Sequence, residues 1–207
     1  MRILLTLTLF VAVCLLLGLS AIAVQSPQPK ITRTVMFDTP EADRILTALQ
    51  VFPPDNPWNQ DISALPVHAN SSAIIASIGK DKTIDFNLDM NFVIVPPNQP
   101  RVPVKILDYP NESDPGPYPV PDNLPIENWP LQRNEDGGAL PKPGGTLDTI
   151  QRHGTGDRHG IVVDPVNGVL YEFYQARKTD AGWQAAQASI FDLKSNRMRP
   201  ERWTSAD

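Results

Sequence analysis

The chain has 207 residues, a formal net charge of -5 and a single cysteine, Cys14. One cysteine excludes an internal disulfide and a zinc site built from several thiolates. The acidic balance, with no basic stripe, argues against a nucleic-acid partner, and the length is sufficient for one domain with its own core.

The N-terminus is an apolar segment. No charged residue follows Arg2 in residues 3–24, and Ala21 and Ala23 provide the small-x-small pattern that signal peptidase reads. We predict a signal peptide over 1–23, and therefore a secreted or periplasmic protein whose mature chain lacks cysteine. An uncleaved segment of this length would instead anchor the protein in a membrane. That alternative stays open, and no other membrane contact is predicted.

Residues 24–50 are predicted to be a leader segment that contains one short helix. The run 31–37 is typical of a short edge strand. Thr39 and Pro40 then provide an N-cap and a first-turn proline for a helix over about 40–50.

The remainder, residues 51–207, is predicted to be a single β-rich domain. A second short helix is expected over 71–78, with Asn70 as its N-cap and Gly79 at its C-terminal end. No repeat of 20 to 50 residues is visible, which disfavours propellers and solenoids.

Apolar runs at 92–95 and 102–107 predict two strands, which we expect to pair as antiparallel neighbours. Pro103 restricts the second strand to an edge or a bulge because proline has no N–H to donate. The many prolines between residues 110 and 130 predict an extended strap over the body of the domain. Residues 137–145 are predicted to be a flexible loop.

A β-hairpin is the strongest local prediction. Residues 158–163 and 169–174 are rich in β-branched and aromatic side chains, and turn-forming residues lie between them at 164–168. A further strand is expected over 189–193. These elements predict a mainly β fold, an antiparallel β-sandwich or jelly-roll-like domain with one or two short peripheral helices and long proline-rich loops.

Five long stretches of the chain carry a resemblance. They are FPPDNPWNQDISALPV (52–67), IIASIG (74–79), QPRVPVKILDY with NESDPGPYPVP (99–121), GDRHGIVVD with VLYEFYQA (156–176) and SIFDLKSNRMRPERWTSAD (189–207). Together they resemble a family of exported, mostly bacterial proteins of uncharacterised function. The resemblance implies export and a shared fold, but no reaction. In such proteins a further stretch follows WTSAD, so we expect this chain to be incomplete at its C-terminus.

Two histidines, His153 and His159, flank Asp157 and Arg158 just before the hairpin. Imidazoles and a carboxylate could bind a metal, but the spacing is not a specific metal motif, and we predict no metal and no other cofactor. His159 could instead act as a general acid or base while Arg158 neutralises a substrate carboxylate. The third interpretation is structural: Asp157 and Arg158 form a turn and an ion pair, and His159 makes a buried hydrogen bond.

The length of the hairpin turn decides which side chains share a face with His159. A turn of two or four residues places Glu172 and Tyr174 there, and a turn of five places Tyr171 there instead. His159 with Glu172 suits glycoside cleavage, whereas His159 with Tyr171 and Arg158 suits β-elimination of uronic acid sugars. The sequence leaves both open, so the candidate catalytic residues are His159, Glu172, Arg158 and Tyr171.

The tryptophans support a non-catalytic alternative, because their flat faces can stack on sugar rings. The four are Trp58, Trp129, Trp183 and Trp203. Trp183, beside Gly182 in a predicted loop, is expected to be the best exposed, and Trp203 is expected to be core. The candidate substrate-binding residues are Trp183, His153 and Asp157.

No phosphate-binding glycine loop, serine-hydrolase elbow or zinc-protease motif occurs in the sequence. We therefore expect an exported protein that acts on or binds an extracellular polysaccharide. The alternative is a non-catalytic carbohydrate-binding or cell-surface interaction module. Whether the protein is an enzyme and what its oligomeric state is stay open.

Overall fold

The computed structural model describes residues 30–83, 90–127, 129–133, 139–141 and 146–203. The predicted signal peptide over 1–23 lies outside the described residues, as does most of the predicted loop over 137–145. The described residues form a mainly β fold, as the sequence predicts, but with three short α-helices where one or two were expected, and with mixed sheets where antiparallel ones were expected.

The α-helices and 3₁₀ turns are α1 (Pro40–Ala48), α2 (Ser71–Ile78), α3 (Leu147–Arg152) and 3₁₀ turns at Pro57–Asn59 and Pro110–Glu112. The strands are β1 (Val35–Met36), β2 (Phe92–Ile94), β3 (Val104–Ile106), β4 (Leu131–Arg133), β5 (Ala139–Pro141), β6 (Gly160–Asp164), β7 (Val169–Tyr174), β8 (Arg177–Thr179), β9 (Gly182–Ala185) and β10 (Gln187–Asp192).

Two mixed sheets organise the fold. The larger has the order β1-β2-β6-β7-β10, in which β2 and β6 are parallel and the other neighbours are antiparallel. The smaller has the order β3-β9-β8, with β3 parallel to β9 and β8 antiparallel to it. A separate pair joins β4 to β5.

The prediction that the runs at 92–95 and 102–107 pair with each other is wrong. Strand β2 lies in the larger sheet between β1 and β6, and β3 lies in the smaller sheet beside β9. The connection between them, residues 95–103, contains four prolines, which cannot continue a ladder and which carry the chain from one sheet to the other. Pro103 does precede an edge strand, as expected, because β3 is the outer strand of its sheet.

Helix α1 forms where it is predicted and covers one face of the larger sheet. The Thr39 side chain accepts a hydrogen bond of 3.2 Å from the Ala42 N–H and caps the helix. Ile45 is buried against Val35 of β1 and Ile94 of β2. Burying such a side chain contributes about 2 kcal/mol. Because a helix as short as α1 is not stable by itself, this packing is what stabilises it.

Helix α2 also forms where it is predicted, but none of its residues is buried. Its isoleucines Ile74, Ile75 and Ile78 are all exposed. Within the part of the chain that the structure describes, α2 therefore contributes nothing to the core.

The proline-rich segment over 110–130 contributes more to the fold than a surface strap would. Tyr118, Val120, Leu124 and Ile126 are all buried in the main core, beside residues from both sheets. Helix α3, which the sequence analysis did not predict, is tied to this segment because the Gln151 amide donates to the carbonyls of Asp122 and Leu124 at 2.8 and 2.9 Å.

Among the described residues, no helix is both long enough and apolar enough to cross a bilayer.

Candidate functional site

The hairpin register places Glu172 and Tyr174 on the same face as His159. Four residues, 165–168, connect β6 to β7, and the pairing of Gly160 with Phe173 sets Tyr174 opposite His159. Glu172 lies opposite Ile161, two positions along the same face. Of the two registers that the sequence left open, the structure adopts the one that brings His159 and Glu172 to one face.

His159 is packed between the hairpin and the proline-rich segment. Its side chain is only 8% exposed, and its ring centroid lies 5.5 Å from that of Tyr174. Glu127 makes two hydrogen bonds to the backbone of His159. The Glu127 N–H donates to the His159 carbonyl at 2.8 Å, and the Glu127 carboxylate accepts from the His159 N–H at 3.2 Å. Asp157 is exposed, and its carboxylate accepts from the Tyr174 hydroxyl at 3.4 Å.

Arg158 is directed into the protein and not towards a substrate. It is 5% exposed, and its guanidinium donates to the carbonyls of Ile150, Gln151, His153 and Ala176 at 2.8 to 3.2 Å. Three of these carbonyls belong to the end of α3, where backbone acceptors lack helical partners. Burial, and next the nearby charge of Arg177, lower the pKa of Arg158. This arrangement favours the structural interpretation of Arg158, with backbone carbonyls as its partners.

Arg177 completes the cap at the end of α3. Its guanidinium donates to the carbonyls of Arg152 and Gly154, both at 3.1 Å. His153 is the C-cap residue of α3 and lies exposed at this position. Gly154 has a φ of 130°, and a Cβ there would lie 2.6 Å from Nη1 of Arg158, so only glycine fits.

Tyr171 and Trp183 belong to the core. Tyr171 lies on the face opposite His159, and its hydroxyl accepts from Arg101 at 2.8 Å. The register that would bring Tyr171 to the face of His159 is therefore not adopted, because the turn has four residues and not five. The expectation that Trp183 is the best exposed tryptophan is also wrong: it is 9% exposed in β9, and Lys178 lies over its ring.

Within the described ranges, no three His, Cys, Asp or Glu side chains are grouped as metal ligands would be.

The exposed tryptophan is Trp58, which lies on a groove of about 530 Å³ lined by residues 52, 56–58, 191 and 195–203. We call this the Trp58 groove. The Trp58 side chain is 87% exposed. The turn around Trp58 and the segment 195–203 form its two walls, and Phe191 of β10 also lines it.

The wall that carries Trp58 is held by two asparagines. Asn56 caps the 3₁₀ turn, since its side-chain oxygen accepts from the Trp58 N–H at 2.9 Å. The Asn59 amide donates to the carbonyls of Val51 and Pro53 at 2.8 and 2.9 Å. These bonds fix the backbone around Trp58, so its indole is presented from a pre-organised turn.

The opposite wall is held by Arg199. Its guanidinium forms an ion pair of 2.7 Å with Asp114, and it lies 5.3 Å from the ring of Trp203 and 6.0 Å from that of Phe191. The carboxylate of Asp114 also accepts from the Ile190 N–H of β10 at 2.9 Å. Arg199 thereby joins the 195–203 segment to the edge of the larger sheet and lies within cation–π distance of both Trp203 and Phe191.

The sequence led us to expect Trp183 as the best exposed tryptophan, although the residues around Trp58 pointed to Trp58 instead. Trp58 lies in a run of turn-forming residues, PPDNPWN, with no apolar neighbour that could draw it into a core. Trp183 follows the turn residue Gly182 and precedes polar and small residues. These neighbours are not typical of a strand, so strand β9 was not predicted. The residues that neighbour Trp58 thus indicated its exposure correctly, whereas those that neighbour Trp183 did not indicate that it is buried.

Comparison of the chain with known protein families, with curated proteins and with solved structures found no match. The resemblance to exported bacterial proteins therefore stays a prediction.

Proposed function

We propose that this protein binds an extracellular polysaccharide in the Trp58 groove. The exposure of Trp58 beside a groove of about 530 Å³ carries the proposal. The flat face of an indole fits the C–H face of a pyranose ring. A tryptophan that is exposed and held by an ordered turn indicates a binding surface and not a core position.

The composition of the groove supports the same proposal. Phe191 and Met198 provide apolar surface, and Ser195, Asn196 and Glu201 provide polar side chains beside it. A sugar-binding site needs both apolar surface and polar side chains, because a sugar ring has apolar faces and a polar edge. The hydrogen bonds of Asn56 and Asn59 support binding by reducing the ordering that a ligand would have to impose.

Affinity electrophoresis against a panel of soluble polysaccharides tests this function. We expect at least one neutral or acidic polysaccharide to retard the wild-type protein. Trp58→Ala should weaken that interaction at least about tenfold, because a stacked aromatic ring contributes on the order of 1.5 kcal/mol. Val67→Ala is the matched control, since Val67 is an exposed apolar residue that does not line the groove. No retardation by any member of the panel, or equal retardation of the Trp58 variant, contradicts the proposal.

Export is part of the proposal, and the apolar segment 3–24 with Ala21 and Ala23 supports it. The expected product is a secreted or periplasmic chain that begins at Val24. Mass spectrometry of the protein from each cell fraction checks this expectation. A cytoplasmic protein that keeps residues 1–23 contradicts it, and a membrane-bound one supports the anchored alternative.

A sandwich is the architecture that we propose for the two sheets. Its support is a shared core, in which Val162 and Phe173 of the larger sheet cluster with Trp183 and Ala185 of the smaller one. A two-layer arrangement of this kind leaves the outer face of the larger sheet available for α1 and for the residues near the groove.

A catalytic function is the second candidate, and the hairpin register favours it. His159 and Glu172 share a sheet face with Ser189 and Phe191 of β10, and Phe191 lines the Trp58 groove. A polysaccharide seated in the groove would lie beside the face that carries these two titratable groups. Cleavage of the polysaccharide, lost in a Glu172 variant of unchanged stability, would identify the protein as an enzyme.

A further inference from the structure

We infer that the Trp58 groove selects polysaccharides that carry carboxylates, that is, chains containing uronic acid sugars. This inference rests on the proposed function, since it names the class of polysaccharide that the groove binds.

The lining of the groove is positive in a protein that is negative overall. Three arginines, Arg197, Arg199 and Arg202, and one glutamate, Glu201, line it, whereas the whole chain has a net charge of -5. Positive charge in the lining of the groove attracts anions to this surface, although the chain as a whole is negative.

Two of the three arginines remain available to a ligand. Arg199 is engaged, because Asp114 balances its charge at 2.7 Å. Arg197 and Arg202 are exposed, and neither side chain forms an ion pair with another described residue. The positive charge of Arg197 also helps to lower the pKa of Asp192, after the stronger effects of hydrogen bonds from the Ser195 hydroxyl and the Lys194 N–H.

Arginine is the residue type that recognises carboxylates by shape as well as by charge. Its planar guanidinium can donate two parallel hydrogen bonds to the two oxygens of one carboxylate. In a uronic acid chain the carboxylate projects from the edge of a ring whose face is apolar. Trp58 for the face and Arg197 and Arg202 for the edge match that chemistry within one groove.

An acidic peptide shares the charge but not the ring. It could pair with the arginines, yet it would leave the exposed face of Trp58 without a flat apolar surface to cover it. A polysaccharide uses both parts of the groove, which is why we favour it.

The test compares polygalacturonate with its fully methyl-esterified form, which has the same backbone without the charge. Binding is measured by isothermal titration calorimetry at low ionic strength, with polyglutamate as a charged chain that lacks rings. We expect polygalacturonate to bind at least about fivefold more tightly than the ester and than polyglutamate. That ratio corresponds to two exposed charge-assisted contacts, and it should shrink as salt is added.

The variant Arg197→Gln/Arg202→Gln should bind polygalacturonate about as weakly as the wild type binds the ester. Arg44→Gln is the matched control, because Arg44 is an exposed arginine on α1 away from the groove. Equal binding of polygalacturonate and its ester, or an unchanged double variant, overturns the inference and leaves the proposed function standing. Binding of polyglutamate as tight as that of polygalacturonate also overturns it. Absence of binding to every polysaccharide of the earlier panel is the different result that removes the proposed function itself.

Discussion

Asn56 and Asn196, which are 140 residues apart in the chain, join the two walls of the Trp58 groove through a hydrogen bond of 2.8 Å between their side-chain amides. Asn56 is buried, whereas Asn196 is exposed and also donates to the Asp55 carboxylate at 3.0 Å. Asn196 therefore links the start of the domain to the segment after β10 through two side chains, Asn56 and Asp55.

Replacement of Asn56 should destabilise the protein and open the groove. Asn56→Ala removes the cap on the Trp58 N–H as well as the bond to Asn196, so we expect the free energy of unfolding to fall by about 1 to 2 kcal/mol. Urea unfolding measures this change. Asn196→Ala, at an exposed position, should cost less than about 1 kcal/mol, and equal costs for the two variants would contradict the assigned role of Asn56.

Arg158→Lys should be far from conservative. One ammonium group cannot reach the carbonyls of Ile150, Gln151, His153 and Ala176 together, so buried acceptors lose their donors. We expect the free energy of unfolding to fall by about 2 to 3 kcal/mol. Arg44→Lys, on the exposed surface of α1, should change it by less than about 0.5 kcal/mol. Unchanged stability together with lost polysaccharide cleavage would instead support a catalytic Arg158.

Variants at His159 and Glu172 separate the binding function from the catalytic one. His159→Ala removes a buried ring that packs on Tyr174, and we expect a loss of about 2 kcal/mol in stability. His159→Phe, which keeps the ring contact, should recover most of that loss. Reducing-end assays on the bound polysaccharide should detect no product from the wild type. Product that disappears in Glu172→Gln and in a stable His159→Phe would show that this face is catalytic.

Tyr118 should make the protein less stable in alkali. Burial, and then the carboxylate of Asp114, raise the pKa of Tyr118 above its ordinary value of 10.0, with Arg199 acting in the opposite direction. The unfolded chain therefore releases the phenol proton at a lower pH than the folded protein does. The stability that this shift contributes is complete below pH 10.0 and is lost as the pH rises through the folded pKa.

Tyr118→Phe tests this dependence. The variant loses the hydrogen bond from the Tyr118 hydroxyl to the Asp114 carbonyl, so near pH 8 it should be less stable by about 1 kcal/mol. Because phenylalanine does not titrate, the gap between the two proteins should narrow as the pH rises above about 10. Urea unfolding between about pH 8 and pH 11 measures the gap. A gap that stays constant over this range would argue against the raised pKa.

Elements fixed by local chemistry were predictable from the sequence. The hairpin of β6 and β7 follows from alternating side chains around a turn that Asp164 closes, since its carboxylate accepts from the Asn167 N–H at 2.9 Å and its carbonyl accepts from Gly168 at 2.8 Å. Helix α1 begins where Thr39 and Pro40 place it. In each case the interactions that define the element lie within a few residues of one another.

Strand partners were not predictable, because pairing joins segments that are distant in the chain. Nothing local indicates that β2 pairs with β6, that β3 pairs with β9, or that the proline-rich segment supplies Tyr118 and Leu124 to the core. The hairpin register depends on the length of the turn, which the sequence left open. The four-residue turn puts His159 and Tyr171 on opposite faces of the sheet.

The sequence by itself thus determined the mainly β character, the two predicted helices and the hairpin that carries His159 and Glu172. Only the tertiary structure decided that Arg158 caps α3, that Trp183 is core and that Trp58 is exposed. The physical reason is that burial and hydrogen-bond partners are set by chain segments far apart in sequence. The Trp58 groove illustrates this, since the hydrogen bonds of Asn196 with Asn56 and Asp55 join two walls that are distant in the chain.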